Sequence, residues 1–189
     1  MSRFSKLFFC TFLSGLLLSC EGDYYIDYEW VSMDAIHGNN SNKWPEPSSD
    51  DSISADHYVL ILQMETNELK REGRYLDQES PPSNVNGLDS LFIYSSKDFD
   101  SEHPANSNLT DLFVILNDTY YSTLPADGSE GYWINNHQSP RFYDDPNVTH
   151  IDLMLQQKPS LKDSFRFYVR MVLDDGTAFT DSTTSIALF

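Results

Sequence analysis

The stretch Asp98-Phe99-Asp100-Ser101-Glu102-His103 sets three carboxylates at alternate positions. That spacing can turn hard oxygen ligands toward one side of a loop, which is the chemistry calcium requires. An EF-hand would need Gly at the sixth position and an acid at the twelfth, where this chain has His103 and Leu109. Asp98, Asp100 and Glu102 are therefore candidates only for an irregular structural calcium site, and no other cofactor is expected. The same residue types also serve a long turn, because Asp and Asn side chains bond local backbone and Pro104 restricts the path. Histidines 37, 57, 103, 137 and 150 are scattered and include no His-Glu-x-x-His helix, so a zinc site is not expected.

Catalytic spacing is equally sparse. Asp and Glu are plentiful, but nothing in the sequence places two of them across a cleft as a glycosidase pair. Neither a Gly-x-Ser-x-Gly elbow nor a glycine-rich phosphate loop is present, and the chain holds only eight glycines. A non-enzyme is expected; the alternative is a glycan-acting hydrolase using acids such as Asp98 or Asp144. Aromatic pairs offer a binding chemistry instead. Tyr120-Tyr121 and Tyr132-Trp133 lie in a loop-rich region beside Asn135, where rings bordered by amides could stack on sugar rings or anchor a protein partner. The competing expectation is that these rings cover one end of a core.

Cysteine usage is the sharpest signal. Cys10 lies within an apolar run, Leu7 to Leu18, preceded by Arg3 and Lys6; this reads as a targeting segment. As a helix its 12 residues would span roughly 18 Å, short of the roughly 30 Å hydrocarbon core. Once it is removed, Cys20 stands alone and has no disulfide partner within the chain. Leu17-Leu18-Ser19-Cys20 resembles the bacterial lipobox, which implies a signal peptide over 1–19 and lipid attachment at Cys20. Glu21-Gly22-Asp23 resembles the acidic signal that sends lipoproteins of Bacteroidetes to the cell surface. Asp51-Ser52-Ile53 is similar to the Asp-Ser/Thr-apolar acceptor used for O-glycosylation of exported Bacteroides proteins, which makes Ser52 a candidate glycosylation site.

Residues 20–189 carry 10 basic against 29 acidic residues, a formal charge of −19. Nucleic acid, which demands a basic surface, is excluded as a partner. The remaining 170 residues fit a single domain with its own core.

The elements that must position these groups read as strands. YYIDYEWVSM, Tyr24 to Met33, predicts a first strand, followed by a polar loop from Gly38 to Ser52. His57 to Glu65 is apolar on both faces and predicts a central strand. Leu69 to Gly87 reads as an excursion, whereas Leu88 to Ser95 and Ile151 to Gln157 read as strands. Leu109 to Asn117 permits a helical turn or a strand. In SFRFYVRMVL, Phe165, Phe167, Val169, Met171 and Leu173 fall on one face and Ser164, Arg166, Tyr168 and Arg170 on the other. Asp174-Asp175-Gly176 predicts a hairpin with positive φ values, and the last residues predict a docked C-terminal strand.

Six or seven antiparallel strands with at most short helical turns imply an all-β sandwich. The lipobox, the tyrosine-rich start and DFDSEHPANSNLTDLF from Asp98 to Phe113 together resemble a family of small Bacteroidales lipoproteins assigned to a domain of unknown function. That resemblance implies an immunoglobulin-like sandwich, an outer-membrane location through the N-terminal lipid, and no established activity. A protein binding an extracellular glycan or protein partner is the expected function.

Overall fold

The computed structural model describes residues 24–42, 44–72, 85–116, 121–123, 141–142 and 148–189, with side chains described over 28–42, 44–69, 85–116 and 149–189. Thirteen strands run through the described residues: β1 (Tyr24–Asn39), β2 (Glu46–Pro47), β3 (Ser52–Ile53), β4 (Tyr58–Glu72), β5 (Leu88–Ser95), β6 (Phe113–Leu116), β7 (Tyr121–Thr123), β8 (Arg141–Phe142), β9 (Val148–Leu155), β10 (Asp163–Phe165), β11 (Phe167–Leu173), β12 (Ala178–Ser182) and β13 (Ile186–Leu188). Single 3-10 turns stand at Ala55–His57 and Thr110–Leu112.

Seven strands build two antiparallel layers, β1-β4-β9-β6 and β5-β11-β12. In chain order this is A-B-E-D facing C-F-G, the strand order of the immunoglobulin constant-type sandwich. The seven include the strands the sequence reading places at Tyr24 to Met33, His57 to Glu65, Leu88 to Ser95, Ile151 to Gln157 and in SFRFYVRMVL, whereas the docked C-terminal strand it also expects is β13. The other six are short additions: β2, β7 and β8 extend the first layer, and β10-β13-β3 form a small third sheet. In that sheet β13 runs antiparallel to β10 and parallel to β3, which docks the C-terminal residues.

β4 shows why the first layer sits where it does. Val59, Leu60, Ile61 and Leu62 are all fully buried, and the strand lies between β1 and β9. Leu60 and Leu62 join the core between the layers, while Val59 and Ile61 fill the opposite face. Gly38 on β1 makes room for Ile61, since a Cβ at Gly38 would lie 2.6 Å from Ile61 Cδ1. The β1–β4 ladder then runs on to Tyr24 opposite Glu72, whereas β9 pairs with β4 only over Val59 to Glu65. Among the described strands, the seven pairs beyond Glu65 form a two-stranded ribbon about 23 Å long at roughly 3.3 Å per residue.

Several boundaries differ from the sequence reading. β1 continues to Asn39 and β4 to Glu72, because their mutual pairing carries polar residues into the ladder. Leu109 to Asn117 holds a 3-10 turn followed by β6, so both readings of it are partly met. The run SFRFYVRMVL is two strands: Phe165 pairs with Ile186 in the small sheet, and Phe167 pairs with Ser95 in the second layer. Burial still alternates without interruption across this switch, from Phe165 to Leu173. The buried Thr183 bridges the gap, its Oγ1 accepting the Phe167 N–H and its own N–H donating to the Phe167 carbonyl. The hairpin that follows places only Gly176 at positive φ, +86°. It is therefore a three-residue loop closed between Leu173 and Thr177, rather than a two-residue turn with paired positive φ.

The layers meet on aromatic rings. Phe167 of the second layer lies 5.3 Å from Tyr58 and 6.0 Å, edge-on, from Phe113 of the first. Tyr58 is fully buried, which raises its pKa well above 10.0 and keeps the phenol a donor. It donates to His37 Nδ1 at 3.0 Å, and His37 Nε2 donates to the Thr184 carbonyl at 3.1 Å. A carbonyl can only accept, so the Thr184 bond places a proton on Nε2, and burial favours the neutral ring whose Nδ1 accepts from Tyr58.

Burial lowers the His37 pKa from the ordinary 6.5, partly opposed by the bond to Thr184, and burial lowers His150 in the same direction. The unfolded chain then binds more protons than the folded one between 6.5 and the depressed values, so stability rises with pH through that window. Urea midpoints are expected to fall as pH drops from about 7.5 to about 5.5, where carboxylates stay ionised. His37→Gln is expected to flatten that dependence, leaving the share of His150; an unchanged slope would remove His37 from the account.

Candidate functional site

The acidic stretch forms an ordered corner rather than a loose loop. Phe99 is fully buried and packs 5.6 Å from Phe165, so the segment is pinned to the core at its second residue. Its carboxylates then meet backbone donors. Asp98 Oδ1 accepts from the Ala105 N–H at 2.7 Å, and Asp100 Oδ1 accepts from the N–H groups of Glu102 and His103, each at 2.8 Å. The His103 ring bridges Asp100 at 2.9 Å and Asp111 at 3.6 Å, while Gln157 donates to Asp100 Oδ2 at 2.7 Å.

Partial burial pushes the Asp100 carboxyl up. The bonds from the His103 ring and from the two backbone N–H groups outweigh it, so the pKa lies below the usual carboxylate value. Among the described residues no three or more His, Cys, Asp and Glu side chains form a group placed to hold a metal ion, and Asp98, Asp100 and Glu102 form none. The arrangement performs turn formation, the second role the sequence offers for these residues.

Other sequence candidates fall differently. Ser52 is exposed but lies in β3, opposite Ala187, rather than in a free loop. Tyr121 is placed by its backbone in β7; its side chain lies outside the described residues, as do Cys20, Tyr120, Tyr132, Trp133, Asn135 and Asp144.

The outward face of the second layer is a surface the sequence reading left unassigned. The pairing registers of β12, β11 and β5 set nine side chains in a three-by-three grid. Its rows are Ser182, Tyr168 and Tyr94; Thr180, Arg170 and Phe92; and Ala178, Val172 and Ser90. Neighbouring strands stand about 4.8 Å apart and alternate residues about 6.6 Å apart, so the grid covers roughly 10 by 13 Å. Phe92 and Tyr94 lie nearly parallel, 17° between planes with centroids 6.5 Å apart, and Tyr168 is 39 % exposed beside Tyr94.

Arg166 extends the central column. Its N–H donates to Ser96 Oγ at 3.0 Å and its carbonyl accepts from the Ser96 N–H at 2.9 Å, so β5 holds it just before β11 begins. The signal for this face was present in Leu91-Phe92-Ile93-Tyr94, where aliphatic and aromatic residues alternate. The whole run reads as core until its cross-strand partner Arg170 shows that Phe92 and Tyr94 point outward.

Compared with known proteins, the chain matches no family model, no curated protein and no solved structure.

Asp100→Ala removes the acceptor of two backbone N–H groups. Hydrogen exchange is expected to show about a tenfold loss of protection at Glu102 and His103, the scale of one net hydrogen bond. Unchanged exchange there would mean that Phe99 alone orders the corner.

Proposed function

We propose that the protein is a non-enzymatic binding module of the cell envelope. Lipid on Cys20 holds it to the outer membrane, and the outward face of β5, β11 and β12 takes an extracellular glycan. The observation that carries this reading is the grid itself: exposed Tyr168 and Arg170 beside half-buried Phe92 and Tyr94, bordered by hydroxyls, in a chain otherwise rich in acids. Aromatic rings accept the C–H faces of sugar rings, and the hydroxyls of Ser182, Thr180, Tyr94 and Tyr168 match sugar hydroxyls as donors and acceptors. Tyr and Arg also anchor protein interfaces. Here Val172 and Ala178 are the only aliphatic members of the grid, which leaves it without the apolar centre on which a stable protein interface closes.

The anchor reading rests on Arg3, Lys6, the apolar run to Leu18 and the lipobox-like Leu17 to Cys20. β1 begins four residues after Cys20, and the two-stranded ribbon at its start would serve as a stalk between membrane and sandwich. Attachment through two or three acyl chains, at about 0.8 kcal/mol per buried methylene, is durable where one chain is marginal.

Two measurements test the two halves of this reading. Cys20→Ala is expected to abolish acyl labelling and to release the protein from the membrane fraction; retention there would end the anchor claim. Tyr168→Ala is expected to weaken binding on a glycan array about tenfold with an unchanged melting temperature, since an exposed side chain carries little stability. Full binding by that variant would move the site elsewhere.

A further inference from the structure

Charge on the same face narrows the ligand, on the premise that the face binds glycan. The chain holds 29 acidic and 12 basic residues, yet no acid occupies the nine-position grid. Among the described residues, Lys97 pairs with Asp163 at 2.5 Å and Lys158 with Asp56 at 2.6 Å, while Lys162 lies over the Phe189 ring. Arg166 and Arg170 are exposed, and among the described residues neither guanidinium has a carboxylate partner.

The acids closest in sequence to the grid are turned away or set at one end. Asp181 lies between Thr180 and Ser182 but points to the other side, where its Oδ2 accepts the Ala35 N–H at 2.8 Å. Asp89, Asp174 and Asp175 gather beyond the Val172 row, at the hairpin end. The surface is therefore positive at the tyrosine rows and negative past Val172.

We infer that this face recognises an acidic glycan, with Arg166 and Arg170 each taking a carboxylate or sulfate of the sugar chain and Tyr168 lying against the sugar between them. Four residue steps of extended strand separate the two arginines, about 13 Å at roughly 3.3 Å per step, so an extended chain of a few sugars spans both. Guanidinium is suited to the task because its planar fork meets a carboxylate or sulfate with two parallel hydrogen bonds. On a chain of this net charge, a neutral ligand would need no such acid-free window. An anionic one would be repelled almost anywhere else.

The test uses the full chain against uronate-, sulfate- and sialate-bearing oligosaccharides, each paired with its neutral parent, with inorganic polyphosphate as a plain anion. Charged members are expected to bind at least about tenfold more tightly than their parents, and added salt is expected to erode that preference. The double variant R166Q/R170Q is expected to lose the preference while keeping its melting temperature. Neutral parents bound as tightly as charged ones, with the arginine variant silent, would overturn the acidic preference and leave the glycan face standing. Binding that both Tyr168→Ala and the arginine variant leave intact would overturn the face as well. Polyphosphate bound as well as the acidic sugars would overturn the inference, because charge alone would then suffice. Absence of binding across the panel would overturn both readings.

Discussion

The packing of Phe167 against Tyr58 and Phe113 is the contact on which the rest of the sandwich depends. It joins the two layers at one point, and it lies where the chain leaves the small sheet and enters the second layer. Phe165, one alternate position earlier, stacks 6.3 Å from Phe167 and receives Phe99 on another side. One apolar cluster therefore fixes the layer spacing, the strand switch and the start of the acidic corner together. Burying an aromatic side chain stabilises by a few kcal/mol, so a set of mutually packed rings can hold a switch that ladder bonds alone would leave open.

Because Phe165 and Phe167 must both face inward, Arg166 and then Tyr168 and Arg170 must face outward. The outward grid and the core are two sides of one constraint, the two-residue period of the strand. β5 obeys the same rule, with Leu91 and Ile93 buried and Phe92 and Tyr94 turned out. Pairing of Tyr94 with Tyr168 and of Phe92 with Arg170 assembles the face from residues more than seventy positions apart.

The buried polar groups sit at the margins of this core and tie its pieces together. His37 links β1, β4 and the segment before β13 through Tyr58 and Thr184. Asp181 ties the edge of β1 to β12 by accepting the Ala35 N–H. Each such bond satisfies a group that burial would otherwise leave costly, and the bonds to Thr184 and Asp181 cross between elements that no ladder joins.

Much of the fold was legible locally. The double-sided apolarity of Val59 to Leu62, the alternation from Phe165 to Leu173 and the Asp-Gly turn are short-range patterns, and they place β4 and the β11–β12 hairpin near where the structure has them. What the sequence could not decide is which strands become neighbours. Register is settled by burial of facing side chains across the whole sandwich, so the break at Arg166 and the outward pairing of Phe92 and Tyr94 with Arg170 and Tyr168 exist only once the layers have closed on Phe167.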